Sequence, residues 1–495
     1  MASTFFLRSD DVPQTPAWHR RTIVVVALVA IIAAVRLPWF GNAVADYDEQ
    51  LYSLIGAQML DGRLPFIDLW DRKPFGLFAI FAFSHWALGP GAAAYQTIAA
   101  LFVLAGALLV YALSRRLVDA ASSLVAATLY ILLLSAYGSY SAQSEVFHTP
   151  LMLLALWLLH APGHRAAAPR ALLAMLVMGA ALQIKYTVLP QCLLLGAVAL
   201  HSAYRRGAGI GTLAGLAGAY AVLGLLPTML VAGFYLVHDG FEAFWFANFE
   251  SFFARSGMTG EGRWLHLAYG SAPVWGLAAL GFYAAMRLNP PRDPRLYALF
   301  CGWMLASLAT VFLPSTVYLY YNAALAAPAA LMAVPLIDRR ARAGCMPAVL
   351  LIAGMVHIVD PASGWRTTAR AETAMDDLAA AIAPHVDGQS RCLWIHDGPT
   401  VLYRLSGSCL PTRFIYPDHL NNALESGALG SSQGAEVARI LRQRPPIIVT
   451  TADPVTPQNA EVEALLRTTL RSRYRPLIER EVLGRRTTAW RRTLP

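Results

Sequence analysis

Between Arg21 and Ile358, stretches of about 17 to 25 mainly apolar residues recur, each closed by a short polar or basic segment. A chain of this kind threads a bilayer repeatedly, because each stretch can satisfy its backbone in hydrocarbon only as a helix. Composition agrees: 57% of residues are hydrophobic, 14% are charged and the mean hydropathy is +0.47. An ordinary soluble protein carries about a quarter charged residues. Residues 360–495 return to ordinary charge and turn content, so the expected division is a membrane domain over 1–359 and a soluble domain over 360–495. No small-residue cleavage site follows the first apolar run, and Trp18-His19-Arg20-Arg21 flanks it, so that span is expected to be retained.

The net charge of +9 is unevenly placed, and the placement is more informative than the sum. Arginines crowd Arg115-Arg116, Arg165 to Arg170, Arg205-Arg206, Arg287 to Arg295 and Arg339 to Arg342, at a spacing that fits alternate cytoplasmic loops. A nucleic-acid-binding surface is thereby disfavoured. With the N-terminus cytoplasmic, spans fall near 22–40, 95–113, 118–137, 147–160, 170–184, 187–201, 209–237, 265–286, 296–313, 316–337 and 345–359. That is about eleven crossings, with the C-terminal domain outside. Phe75 to Leu88 is too short for a comfortable crossing and reads as interfacial or re-entrant. The stretch 170–201 must turn at Lys185-Tyr186-Thr187, and a single bent span there would reverse the downstream half.

No Asp, Glu or Lys sits near the middle of a span, which weakens an ion-coupled transporter. Polar chemistry gathers instead in the first outer loop, residues 41–94. It opens on Asp46-Tyr47-Asp48-Glu49 and later carries Asp71-Arg72-Lys73-Pro74. Asp48 is expected to cap a surface-lying helix with Leu51, Leu54, Ile55 and Met59 on one face and Asp61-Gly62 as its stop. Acids at one end and cations at the other suit a carboxylate base facing a phosphate leaving group. A helix cap beside a solvated loop explains the same residues equally well. Only Lys73 and Lys185 among 39 basic residues are lysines, and the inferred topology puts both on the outer face.

The ordered series of motifs resembles the GT-C superfamily of glycosyltransferases, and within it the family 39 type of protein O-mannosyltransferases and lipid A aminoarabinose transferases. The residues that carry the likeness are Arg36, Asp48-Glu49, Gly62-Arg63-Leu64-Pro65-Phe66-Ile67-Asp68 and Lys73-Pro74 in the first 74 positions. Gln143-Ser144-Glu145-Val146-Phe147, Gln183-Ile184-Lys185-Tyr186-Thr187 and Tyr318-Leu319-Tyr320-Tyr321-Asn322 extend it to about residue 340. The resemblance implies an α-helical polytopic membrane enzyme with interfacial helices and a small C-terminal α/β domain, in the bacterial inner membrane. It implies inverting transfer of one sugar from a polyprenyl-phosphate carrier to a glycan, lipid or protein acceptor on the outer face. Carried over by position, Asp48 matches the candidate base, with Asp46 and Glu49 its neighbours and Glu145 the acid of the second outer loop. Lys73 matches the phosphate-binding lysine, with Arg72 and Lys185 as helpers. Relatives often have Lys-Pro-Pro where this chain has Lys73-Pro74-Phe75, so Arg72 competes with Lys73 for the phosphate role. This branch commonly needs no cofactor, although an acid cluster leaves a divalent cation open. The alternative reading is a non-catalytic lipid or glycan transporter or scaffold.

The loop 238–264 carries aromatics at helical spacing. Phe244, Trp245 and Phe249, with Arg255, are candidates for a lid over donor and acceptor, with Gly257 and Gly260 as its hinge; an aromatic belt at headgroup level is the plain alternative. In the tail, Thr373 to Ile382 has an amphipathic helical pattern, and Cys392 to His396 and Pro446 to Thr450 read as strands. Cys392 and Cys409 form a disulfide if this domain faces an oxidising compartment, and are two buried thiols otherwise. No phosphate loop, zinc spacing or nucleophile elbow is present.

Overall fold

The computed structural model describes residues 17–160, 167–257, 263–314 and 318–493. Helices α1 (Ala17–Arg36), α2 (Tyr47–Leu60), α3 (Phe75–Leu88), α4 (Ala92–Ser114), α5 (Ala120–Ala136) and α6 (Ser144–His160) form the first half of the membrane part. Then come α7 (Ala167–Leu182), α8 (Leu189–Arg205), α9 (Ile210–Val237) and the short α10 (Phe241–Trp245) and α11 (Ser251–Ala254). The remainder is α12 (Arg263–Tyr283), α13 (Pro294–Phe312), α14 (Ala326–Met332) and α15 (Met346–Val359). Among the described residues, 6 helical segments are long and apolar enough to cross a membrane, and α3, α5 and α7 are shorter apolar helices. The protein is therefore a mostly helical, multi-span membrane protein. The expected span over 316–337 is a 3-10 stretch, Leu319–Leu325, running into the seven-residue α14, whose residues are all buried.

Three of the arginine-bearing loops, around Arg116, Asp293 and Arg339, meet at one end of the bundle. Arg116 donates to the His160 carbonyl (2.9 Å), His160 faces Asp293 (3.5 Å), and Arg339 pairs with Asp119 (2.6 Å). At the other end, Arg36 donates to the Ser139 carbonyl (3.0 Å), Gln143 donates to Asp46 (2.9 Å), and Lys185 pairs with Glu145. Lys185 lies between two separate helices, α7 and α8. Gln191 at the start of α8 donates to Thr310 near the end of α13 (2.9 Å), and the N-cap of α13, Asp293, is at the arginine end, so α8 runs back and the single bent span is excluded. Helix α3 starts and finishes at this second end. A Cβ on Gly76 would lie 2.7 Å from the Gln183 carbonyl oxygen, and Gln96, at the start of α4, donates to the Asn42 carbonyl (3.2 Å).

Helix α2 does not lie on a surface as its pattern predicts. Residues Glu49 to Gly56 are all buried, because α3 covers one side and the C-terminal part the other. A Cβ on Gly56 would lie 2.7 Å from the Ala82 nitrogen, while Gln50 Oε1 accepts from the Val401 amide (3.3 Å).

Asp360, in the left-handed region (φ 38°), separates α15 from α16 (Pro361–Ile382), whose Ala374, Met375, Leu378 and Ile382 are buried. Four strands follow, β1 (Trp394–Ile395), β2 (Ile447–Thr451), β3 (Tyr474–Val482) and β4 (Arg485–Arg492). They form one sheet in the order β1-β2-β4-β3, parallel between β1 and β2 and antiparallel elsewhere. The β3–β4 hairpin was not expected, since four of the eight residues of β4 are arginines and mask its alternation. Cys392 and Cys409 are disulfide-bonded, with Cα atoms 4.7 Å apart. Trp70, from the loop between α2 and α3, is buried among Trp394, Phe414, Leu420 and Leu429, so the core of the C-terminal part is completed by a side chain from the membrane part.

Candidate functional site

The helix start that the sequence assigned to Asp48 belongs to Asp46. Asp46 is extended (φ −140°, ψ 150°) and its Oδ1 accepts from the amides of Asp48 (2.9 Å) and Glu49 (3.4 Å). Capping by Asp46 releases the Asp48 carboxylate to face a cavity of about 1060 Å³ between the membrane and C-terminal parts. Asp48 Oδ1 accepts from Tyr416 (3.1 Å), whereas Oδ2 accepts from Tyr52 (3.2 Å), Gln143 (3.4 Å) and Tyr320 (3.4 Å). Lys73 Nζ lies 3.9 Å from the same Oδ2. The carboxylate therefore stands between a cation and the C-terminal part.

The cations differ in how they are held. Arg72 makes a two-point ion pair with Glu425, which also faces Arg255 Nε at 2.7 Å. Lys185 is paired with Glu145 and lies 4.4 Å from the centre of the Tyr321 ring. Arg485 pairs with Asp397 at 2.6 Å. Lys73 is, among the described cavity-lining cations, the one with no carboxylate oxygen closer than 3.9 Å. Asp71 shapes its turn: one oxygen accepts from the Lys73 amide (2.7 Å) and the other faces His419 (3.4 Å). Burial pushes the Asp71 carboxyl up, but His419, Lys73 and Arg72 together carry it below its ordinary value. Burial likewise opposes the charge on Lys73, and Asp48 and its neighbours overcome it, raising the ammonium pKa.

Of the residues expected at the site, Asp46, Asp48, Arg72, Lys73, Lys185, Phe249 and Arg255 line the cavity. Glu49 and Glu145 do not. Both are fully buried, Glu49 accepting from the Ala142 amide (2.9 Å) and Tyr95 (3.3 Å), and Glu145 lying behind Lys185. These two acids hold the site's frame and do not face its contents. Phe244 is a core residue, stacked on Tyr235 (5.4 Å) and set edge-on to Phe66 (5.9 Å), and Trp245 is 45% exposed outside the cavity. The aromatic repeat faces several ways because five residues from Phe246 to Glu250 form a π-turn, which rotates the helical face. Gly260 of the expected hinge lies outside the described residues. Sequence reasoning missed Tyr416, Asp418, His419, Glu425, Asp397 and Arg485, which all line the cavity. No local pattern marks them. Among the described residues no group of three or more His, Cys, Asp or Glu side chains is arranged to hold a metal ion.

Burial raises the Glu49 carboxyl to about 7, against the hydrogen bonds and the Arg36 charge that lower it. A raised carboxyl stabilises the fold fully below its unfolded pKa, and that contribution is lost as pH rises through about 7. The loss is on the order of 3 kcal/mol at most. Thermal melts of Glu49→Gln in detergent should therefore be flatter than wild type between pH 5 and 8 (roughly the range bracketing that titration). Parallel wild-type and variant profiles would show that Glu49 does not titrate there.

No family model matches the sequence, and no curated protein matches it. The fold is similar to crystal structures of ArnT from Cupriavidus metallidurans. The form bound to undecaprenyl phosphate matches at a TM-score of 0.63 and 16% identity, covering 96% of this chain and 98% of that one. The apo form matches at 0.63 and 15% identity. The Archaeoglobus fulgidus oligosaccharyltransferase in complex with zinc and sulfate matches at 0.50 and 12% identity, over 86% of this chain and 67% of that one. A likeness that covers 96% of this chain, and so both the helical bundle and the C-terminal sheet, means that this chain has the fold of ArnT.

Proposed function

We propose that the protein transfers one sugar, with inversion, from a polyprenyl-phosphate carrier to a hydroxyl acceptor. The observation that carries this reading is the Asp48–Lys73 pair, a carboxylate and the least committed cation 3.9 Å apart in one cavity. The ArnT structure with undecaprenyl phosphate supports a carrier of that class. The cavity has apolar lining for a prenyl chain, formed by Leu182, Leu189, Leu225, Phe252 and Leu313. The phosphate binds at Lys73, with Lys185 beside it, and the sugar parts Lys73 from Asp48. Asp48 takes the proton of the acceptor hydroxyl as its oxygen bonds to the anomeric carbon. The bond from that carbon to the phosphate oxygen breaks, and the leaving phosphate keeps the electron pair against the Lys73 ammonium. The distribution of arginines supports an orientation with the N-terminus cytoplasmic and this end of the bundle outside, which for this reading is the outer face of the bacterial inner membrane.

The test is transfer of labelled sugar from synthetic polyprenyl-phosphate donors by the full chain in nanodiscs, paired with mass spectrometry of envelope glycans from cells with and without the protein. Lys73→Ala should raise the donor KM by at least about tenfold, the scale of one charge-assisted contact to phosphate, with the fold retained. An unchanged donor KM would remove Lys73 from the phosphate site.

A further inference from the structure

Beyond Asp48 the cavity changes character. Its C-terminal side is walled by Trp39 and Tyr140, by Tyr47, and by the Asp397–Arg485 pair. The Trp39 and Tyr140 rings are stacked, with centroids 4.3 Å apart and planes 22° apart. They are held as a plate: Tyr140 donates to the Ala45 carbonyl (3.1 Å), and α16 packs so tightly that a Cβ on Gly364 would lie 3.3 Å from the Trp39 ring. Arg485 donates to the Tyr47 hydroxyl (3.4 Å) as well as to Asp397. The plate and the ion pair therefore hold the residues just before Asp48, at Ala45 and Tyr47, and Asp48 Oδ1 is turned toward this side by Tyr416.

The charge here is balanced. Arg485 is matched by Asp397, Arg72 and Arg255 share Glu425, and Asp418 supplies the third carboxyl against the three guanidiniums. A phosphorylated acceptor would meet no free cation on this side and would face carboxylates. An aromatic plate beside a fixed fork of donors and acceptors suits a sugar ring, whose apolar C–H face lies on the plate while its hydroxyls bond the polar pair. We infer that the acceptor presents an uncharged sugar, seated between the Trp39–Tyr140 plate and the Asp397–Arg485 pair, with one hydroxyl aimed at Asp48. The inference rests on the glycosyltransferase reading above and narrows its acceptor.

The experiment uses the full chain in nanodiscs, a polyprenyl-phosphate sugar donor, and pairs of alkyl glycosides that differ only in carrying a phosphate. In each productive pair the neutral member should be used at least about tenfold better, by kcat/KM. Trp39→Ala should raise the KM for the neutral glycoside about tenfold while moving the donor KM less than about twofold, and Trp39→Phe should restore most of the loss. Asp397→Asn, which leaves Arg485 unbalanced, should narrow the preference for the neutral member. Preference for the phosphorylated member, transfer to a Ser/Thr peptide in place of either, or use of neither saccharide while the donor binds would each overturn the inference. So would an acceptor KM indifferent to Trp39→Ala. Failure of the wild-type chain to bind any polyprenyl-phosphate sugar would instead remove the reading on which the inference rests.

Discussion

Replacing Asp48 by Asn should cut sugar transfer by about a thousandfold while the protein still binds its donor and melts close to wild type. The change is isosteric and leaves the Asp46 cap intact, so α2 keeps its start. Asn can still accept from Tyr416 or Tyr320, but it cannot take a proton from an acceptor hydroxyl. The longest hydrogen bonds to Asp48, from Gln143 and Tyr320 at 3.4 Å, are the ones an incoming hydroxyl displaces most easily. Asp46→Asn is the informative companion. It keeps a capping side chain, costs at most about 1 kcal/mol of helix stability, and should retain most of the activity. Single-turnover transfer with both variants separates them; full activity in Asp48→Asn would end its role as the base.

Glu425→Ala should destabilise the protein by about 3–5 kcal/mol, the usual cost of removing one member of a buried ion pair. The effect is large because Glu425, 2% exposed, serves two arginines from different segments, Arg72 before α3 and Arg255 after α11. Burial opposes its ionisation, but the Arg72 contact and the Arg255 charge hold the carboxyl below its ordinary value. A lowered carboxyl contributes stability above its unfolded pKa, and the contribution disappears as pH falls through the folded value. Denaturant unfolding in detergent at neutral pH should show the full loss, and in acid the difference from wild type should shrink. A coupling near zero in a double-mutant cycle of Arg72→Ala with Glu425→Ala would show that the pair carries none of it.

Much of this architecture was legible in the chain. Apolar stretches separated by arginines mark the helices, since a bilayer leaves a segment few other options. Asp48 and Lys73 were legible because each sits in a short motif with ordered neighbours. The roles around them were not. Whether Asp46 or Asp48 caps α2 turns on a shift of two residues in the helix start, which no periodicity fixes. Arg72 and Lys185 looked like free cations because their partners lie 353 and 40 positions away. Glu425, Tyr416 and the Asp397–Arg485 pair sit in a stretch that reads as ordinary soluble sequence, and long-range contacts such as the packing of Trp70 against Trp394 and Phe414 bring them over the first loop.

That packing also sets an order of events during biosynthesis. The loop carrying Trp70, Arg72 and Lys73 leaves the ribosome early, and Glu425 follows 353 positions after Arg72. At about 5–20 residues per second the loop waits on the order of tens of seconds for its counterpart. Until then Trp70 has no pocket and Arg72 no carboxylate, so a nascent chain or a prematurely terminated product displays Asp48 and Lys73 without the wall that makes them a site. The proposed transfer would thus wait until the C-terminal part has been made and folded, and a chain that stops before Glu425 would be inserted but inert.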